Sequence, residues 1–90
     1  MKKIKISQPD EVELNALGVS DWAIWTHEAA DFPWYYEMEE TCYFLQGKVT
    51  VIPTDGEAVE MGKGDLVTFP QGMECQWIIH EAVRKHYRFI

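Results

Sequence analysis

Glu40-Thr41-Cys42-Tyr43-Phe44-Leu45-Gln46-Gly47 and, further on, Gly64-Asp65-Leu66-Val67-Thr68-Phe69-Pro70-Gln71-Gly72-Met73-Glu74-Cys75 are the two stretches that decide the fold. Both run β-branched and aromatic residues up to glycine or proline, the pattern of short strands closed by turns. Pro70-Gln71-Gly72 is a tight turn in which proline closes one strand and glycine frees the next. Side chains alternate along a strand, so Glu40, Cys42 and Phe44 share one face.

Outward from these stretches the chain reads as strands over Trp22–Thr26, Phe32–Tyr36, Thr41–Leu45, Lys48–Pro53, Ala58–Met61, Asp65–Phe69, Glu74–Ile79 and Val83–Phe89. Asp55-Gly56 is a hairpin signal between two of them, and Gly62-Lys63-Gly64-Asp65 supplies residues that tolerate positive φ. Regular spacing of this kind predicts an all-β sandwich or barrel. Before it, Asp10–Leu17 predicts a short helical turn after Pro9, ending at Gly18. No internal repeat, low-complexity tract or linker interrupts the chain, so residues 1–90 read as a single domain.

The 90 residues carry 15 acidic against 8 basic side chains, a net charge of −7, which argues against binding phosphate backbones. Nucleic acid is therefore not an expected partner. No run approaches the roughly 20 apolar residues that span a bilayer, and the N-terminus has no signal-peptide apolar region, so a soluble, cytoplasmic protein with no membrane partner is expected. Cys42 and Cys75 lie far apart and form neither a C-x-x-C pair nor a zinc spacing, which fits free thiols in a reducing compartment. With 47% hydrophobic and 13% aromatic residues the core is rich for its size. Even so, a domain this small buries only roughly 60 to 65% of its unfolded surface, and a homodimer is the expected supplement.

Together, Glu40, six residues, Gly47, then Gly64, five residues, Pro70-x-Gly72, two residues, Cys75 resemble the two motifs of a cupin, over 34–47 and 64–75. The resemblance implies a small jelly-roll barrel of antiparallel strands. Further residues are similar to the small ureidoglycine aminohydrolase-like cupins: Trp22-x-x-Trp25, Phe32-x-Trp34-x-Tyr36, Glu40-Thr41-Cys42-Tyr43, Cys75-x-Trp77 and Arg84-Lys85-x-Tyr87. In a typical cupin, two histidines and the glutamate of the first motif, with a histidine of the second, ligate a metal. Matched position by position, the histidines are replaced by Trp34, Tyr36 and Cys75, and Glu40 alone is kept. An indole nitrogen only donates hydrogen bonds, and a phenol ionises near pH 10, so the resemblance implies the pocket without its usual metal.

Alternation places Phe32, Trp34 and Tyr36 in one row, Cys75, Trp77 and Ile79 in another, and Val83, Lys85, Tyr87 and Phe89 in a fourth beside that of Glu40. If these rows line a barrel, they enclose an aromatic cavity with few polar groups, the general description of a small-molecule site. Glu40 and Cys75 are the candidate catalytic residues, and Trp34, Tyr36, Cys42, Trp77 and Lys85 the candidate binding residues. Desolvation by aromatic walls would suit Glu40 to acid or base work, whereas pairing with Lys85 would make it a strand tie. Tyr36, if buried, needs a partner for its hydroxyl, and Glu40 is a natural one. Cys75 would be a nucleophile or soft metal ligand if ionised, and is otherwise a small core residue. Cys42 shares the face of Glu40 and could approach Cys75. Lys85 is expected either outward or, if inward, paired. His27, His80 and His86 fall at no motif position, so no histidine metal centre is expected.

Three functions are consistent with these residues. The first is a metal-independent enzyme acting on a small polar metabolite with Glu40 as acid or base. The second is a ligand-binding or sensing module without turnover. The third is a metalloenzyme holding a divalent metal at Glu40 and Cys75 with Tyr36.

Overall fold

The computed structural model describes residues 3–89, and it is built on two long strands. The elements in order are β1 (Lys5–Ser7), α1 (Glu11–Leu17), a 3-10 turn (Val19–Asp21), β2 (Ala23–His27), β3 (Ala30–Tyr35), β4 (Glu40–Pro53), β5 (Val59–Gly62), β6 (Leu66–Phe69) and β7 (Glu74–Phe89). All strand pairs are antiparallel, as expected for the jelly-roll. The α1 helix starts where Asp10 accepts a hydrogen bond from the Glu13 backbone N–H at 2.9 Å and ends at Gly18 in the left-handed conformation, φ 71°.

β4 and β7 pair along their whole lengths and form the spine of both leaves of the barrel. The first half of β4 pairs with β6, and the last half of β7 with β2. Beyond the bend, β4 pairs with β5 and the first half of β7 pairs with β3. The sequence reading broke each of these strands in two, at Gln46-Gly47 and at His80-Glu81-Ala82. The chain instead passes through both places as β-bulges, with register shifts between Phe44 and Val49. Gly47 makes the bend possible. Its φ is 111°, and a Cβ there would lie 2.7 Å from the Ala82 carbonyl oxygen and 2.9 Å from Val83 Cα.

β1 was not expected from sequence: it is three residues long and charged. It pairs with β6, and the adjoining Gln8 side chain donates to Asp65 Oδ1 at 2.8 Å. The other Asp65 oxygen accepts the Gly62 backbone N–H at 2.9 Å, closing the β5–β6 turn. Between the leaves the core holds Cys42, Phe44, Val49, Val51, Val67 and Phe69 with Trp77, Ile79 and Val83. Burying these side chains contributes roughly 1.5–3 kcal/mol each for the larger ones, offset by chain entropy. Among the described residues, no helix is long and apolar enough to cross a membrane.

Candidate functional site

Register explains how a lysine comes to sit inside the barrel. Phe44 of β4 and Trp25 of β2 both stand opposite Lys85 of β7, so three side chains from adjacent strands project from one face. Along the same pair of strands Cys42 faces Tyr87 and Glu40 faces Phe89. Glu40 and Lys85 are thus two same-face positions apart, within reach of a long side chain. The Lys85 Nζ lies 2.8 Å from Glu40 Oε2, and the two side chains are 6% and 7% exposed. Lys85 therefore points inward. Its ammonium also stands over the rings of Trp77 at 4.7 Å and Trp25 at 5.0 Å, a favourable cation–π arrangement. Such a pair costs desolvation on both sides, and the ion pair and the rings act against that cost.

Tyr36 follows β3 and is pinned by its backbone, which donates to Met73 O at 3.0 Å and accepts from Gly72 N at 2.7 Å. Its ring stacks on Phe69 with centroids 4.7 Å apart. The Trp77 indole donates to the Tyr36 hydroxyl at 3.1 Å. The expected Tyr36 to Glu40 bond is thus replaced: Trp77 serves Tyr36, and Lys85 serves Glu40. Accepting from Trp77 leaves the Tyr36 O–H proton without an acceptor among the described residues. Burial, then the nearby Glu40 carboxylate, pushes the phenol far above its usual range, so it stays neutral.

These polar groups form the floor of a cavity of about 230 Å³. Trp25, Phe32, Trp34, Trp77, Tyr87 and Phe89 line it with them, and of these Trp34 and Phe89 are half-exposed. Phe32 and Trp77 face each other across β3 and β7 and stack at 6.2 Å, while Trp34 is 53% exposed. Of the residues singled out in the sequence, Glu40, Trp34, Tyr36, Trp77 and Lys85 meet at this cavity. Trp25 was missed as a wall residue. Its signal lies in the β2–β7 register opposite Lys85, which one strand read alone does not carry.

Cys42 and Cys75 do not line the cavity. Cys42 is fully buried in the core, where burial pushes its thiol up to about 12 despite the nearby Lys85 ammonium. Cys75 sits beside Trp34 on the neighbouring strand, its Sγ 3.6 Å from the Trp34 carbonyl oxygen, and burial pushes it up to about 11. Both are free thiols. Cys75 belongs to the buried core cluster with Trp77 and Ile79.

The same observations test the metal site that cupin motifs imply. Glu40 is ion-paired with Lys85, the Tyr36 hydroxyl accepts from Trp77, Cys75 is not among the cavity-lining residues, and the Trp34 indole offers only a donor. Among the described residues no three His, Cys, Asp or Glu side chains converge on a point where a metal ion could bind. The donors expected to build a divalent site at Glu40, Cys75 and Tyr36 do not fit one. The histidines are engaged elsewhere: His80 with the Thr50 hydroxyl at 2.8 Å, and His86 with the Trp22 carbonyl at 3.1 Å.

Comparison with known proteins agrees with the fold. A DUF861 family protein from Thermotoga maritima is 48% identical over 98% of this chain and all of that one, with a TM-score of 0.96. A Clostridium difficile EutQ protein is 24% identical over 73% of this chain and 52% of its own, with a TM-score of 0.66. Oxalate decarboxylase from Bacillus subtilis, 22% identical over 94% of this chain and 25% of its own, shares the fold at a TM-score of 0.51. No curated protein sequence matches. The EutQ-like cupin domain family matches residues 14–87, nearly the whole barrel and its cavity, and the chain belongs to that family.

Proposed function

We propose that the protein is a small-molecule-binding cupin that works without a metal, with Glu40 and Lys85 as a proton-exchanging pair acting on a small polar metabolite. The observation that carries this reading is the buried 2.8 Å Lys85–Glu40 pair opening on an aromatic cavity. A cavity of 230 Å³ equals the liquid volume of about eight waters. That suits a compact metabolite. The likeness to ureidoglycine aminohydrolase-like cupins with replaced metal positions is part of this proposal, supported by Trp34, Tyr36 and Cys75 standing at histidine positions. The free thiols fit a cytoplasmic setting. A homodimer is also proposed, supported by the half-exposed Trp34 and Phe89 of the cavity lining, and light scattering of the purified chain tests it.

The second reading is a binding module without turnover, favoured by both thiols lying outside the cavity lining. A thermal-shift screen of small polar metabolites against wild type and Glu40→Gln separates the two. An enzyme gives a ligand that stabilises both proteins and is consumed only by wild type. A binding module gives the same shifts with no consumption. Ligands that shift Lys85→Met as strongly as wild type would place binding elsewhere and overturn both readings.

A further inference from the structure

We propose that Lys85 captures carbonyl compounds: the cavity takes a small neutral aldehyde or ketone and holds it as an iminium on Lys85 Nζ. This rests on the cavity being the functional site, and it names the substrate class. Three features of the site lead to it.

The first is charge. Lys85 and Glu40 together sum to zero, the other described lining residues are aromatic, and the chain as a whole carries −7, so the described lining has no net charge to attract a free anion. A neutral ligand with a hydrogen-bond-accepting oxygen suits it best. The second is the donor set. The ammonium has three protons and spends one on Glu40, and the Tyr36 O–H proton is unspent among the described residues. A carbonyl oxygen is what these donors lack. The third is the proton relay. A carboxylate 2.8 Å from the amine can take a proton from it and return it later, with no change in the net charge of the site.

The chemistry then balances from residues on the page. The Lys85 ammonium gives one proton to Glu40, and the freed lone pair attacks the carbonyl carbon, forming the C–N bond as the C=O π pair moves to oxygen. Tyr36 steadies that oxygen by hydrogen bonding. A second proton passes from nitrogen to oxygen, giving a neutral carbinolamine. Glu40 returns its proton to the hydroxyl, the C–O bond breaks, water leaves, and the nitrogen lone pair closes the C=N bond. Three ammonium protons end as one on the iminium and two in water, and no oxidant or reductant is consumed. The product cation occupies the same place as the ammonium, beside the Glu40 carboxylate and over Trp25 and Trp77, where both partners stabilise it.

The test is reductive trapping of the wild-type chain with benzaldehyde and sodium cyanoborohydride at neutral pH, read by peptide mass mapping. The exposed Lys48 and Lys63 serve as internal references, so the comparison needs no variant. Lys85 should be benzylated roughly tenfold or more faster than either. Labelling of Lys85 no faster than Lys48 or Lys63 would overturn the proposal. Benzyl alcohol, which lacks the carbonyl, is titrated in parallel by tryptophan fluorescence. Binding of the alcohol without preferential Lys85 labelling removes the carbonyl chemistry and keeps the cavity as a binding site, whereas neither signal removes both.

Discussion

Lys85 Nζ and Glu40 Oε2 stand 2.8 Å apart between almost fully buried side chains, on strands whose register puts them on one face. Each is the other's solvent. Removing one partner strands a charge among Trp25, Trp77 and Phe44, which is far costlier than replacing both. Lys85→Met is therefore expected to lower stability by about 3–5 kcal/mol, and Glu40→Gln with Lys85→Met together to recover most of that loss. Urea unfolding of the single and double variants measures the coupling, and simple additivity would count against a tight pair.

Stability should also fall on the alkaline side. In the folded chain burial raises Cys42 to about 12 and Cys75 to about 11, against an ordinary 9.0, and Tyr36 is raised as well. Above pH 9 the unfolded chain then binds fewer protons than the folded one, so the contribution of the thiols is fully present below pH 9 and is lost as pH rises through 11 to 12. Cys42→Ala should flatten the slope of unfolding free energy against pH between 9 and 11, at some packing cost at every pH. Wild-type thiols should react slowly with a disulfide reagent at pH 8 and promptly in denaturant.

The bend at Gly47 gives a sharper contrast. Gly47→Ala meets backbone atoms at 2.7 and 2.9 Å at a φ of 111°, whereas an alanine at Gly64 has the same kind of positive φ, 92°, but nothing within 4 Å. Gly64→Ala should cost about 1 kcal/mol, and Gly47→Ala clearly more than the roughly 1–3 kcal/mol of conformational strain alone. Comparing urea midpoints of the two variants checks this.

Tyr36→Phe keeps the stack on Phe69 but leaves the Trp77 indole N–H without its acceptor. The expected loss is about 1–3 kcal/mol, and a shift in tryptophan emission should accompany it. An unchanged stability would mean that the indole finds another acceptor.

Much of the fold was legible because turn chemistry is local. Pro70-Gln71-Gly72, Asp55-Gly56 and Gly18 each impose a backbone conformation that their own residues determine, and each stands where the sequence placed a turn or helix end. Gly47 was legible as special but not in its role: the same glycine that signals a turn also permits a bulge, and only the approach of Ala82 and Val83 decides between them. β1 is too short and too charged to announce itself, and depends on a distant partner in β6.

In the site, alternation put Glu40 and Lys85 in rows facing a common interior, but which row faces inward is a tertiary fact. A lysine is ordinarily on the surface, and Lys85 is inside because Glu40 and two tryptophans receive it. The cysteines differ from this: Cys75 stands at a motif position, pairs opposite Trp34 and belongs to the core cluster, and neither thiol is among the residues that line the cavity.

The proposal at the centre of this reading is that an ion pair, and not a metal, organises the cavity. Elemental analysis of untagged protein purified without chelator tests it most directly, beside Glu40→Gln. The account predicts no metal in stoichiometric amount in either protein. One metal ion per chain in wild type that Glu40→Gln loses would contradict it.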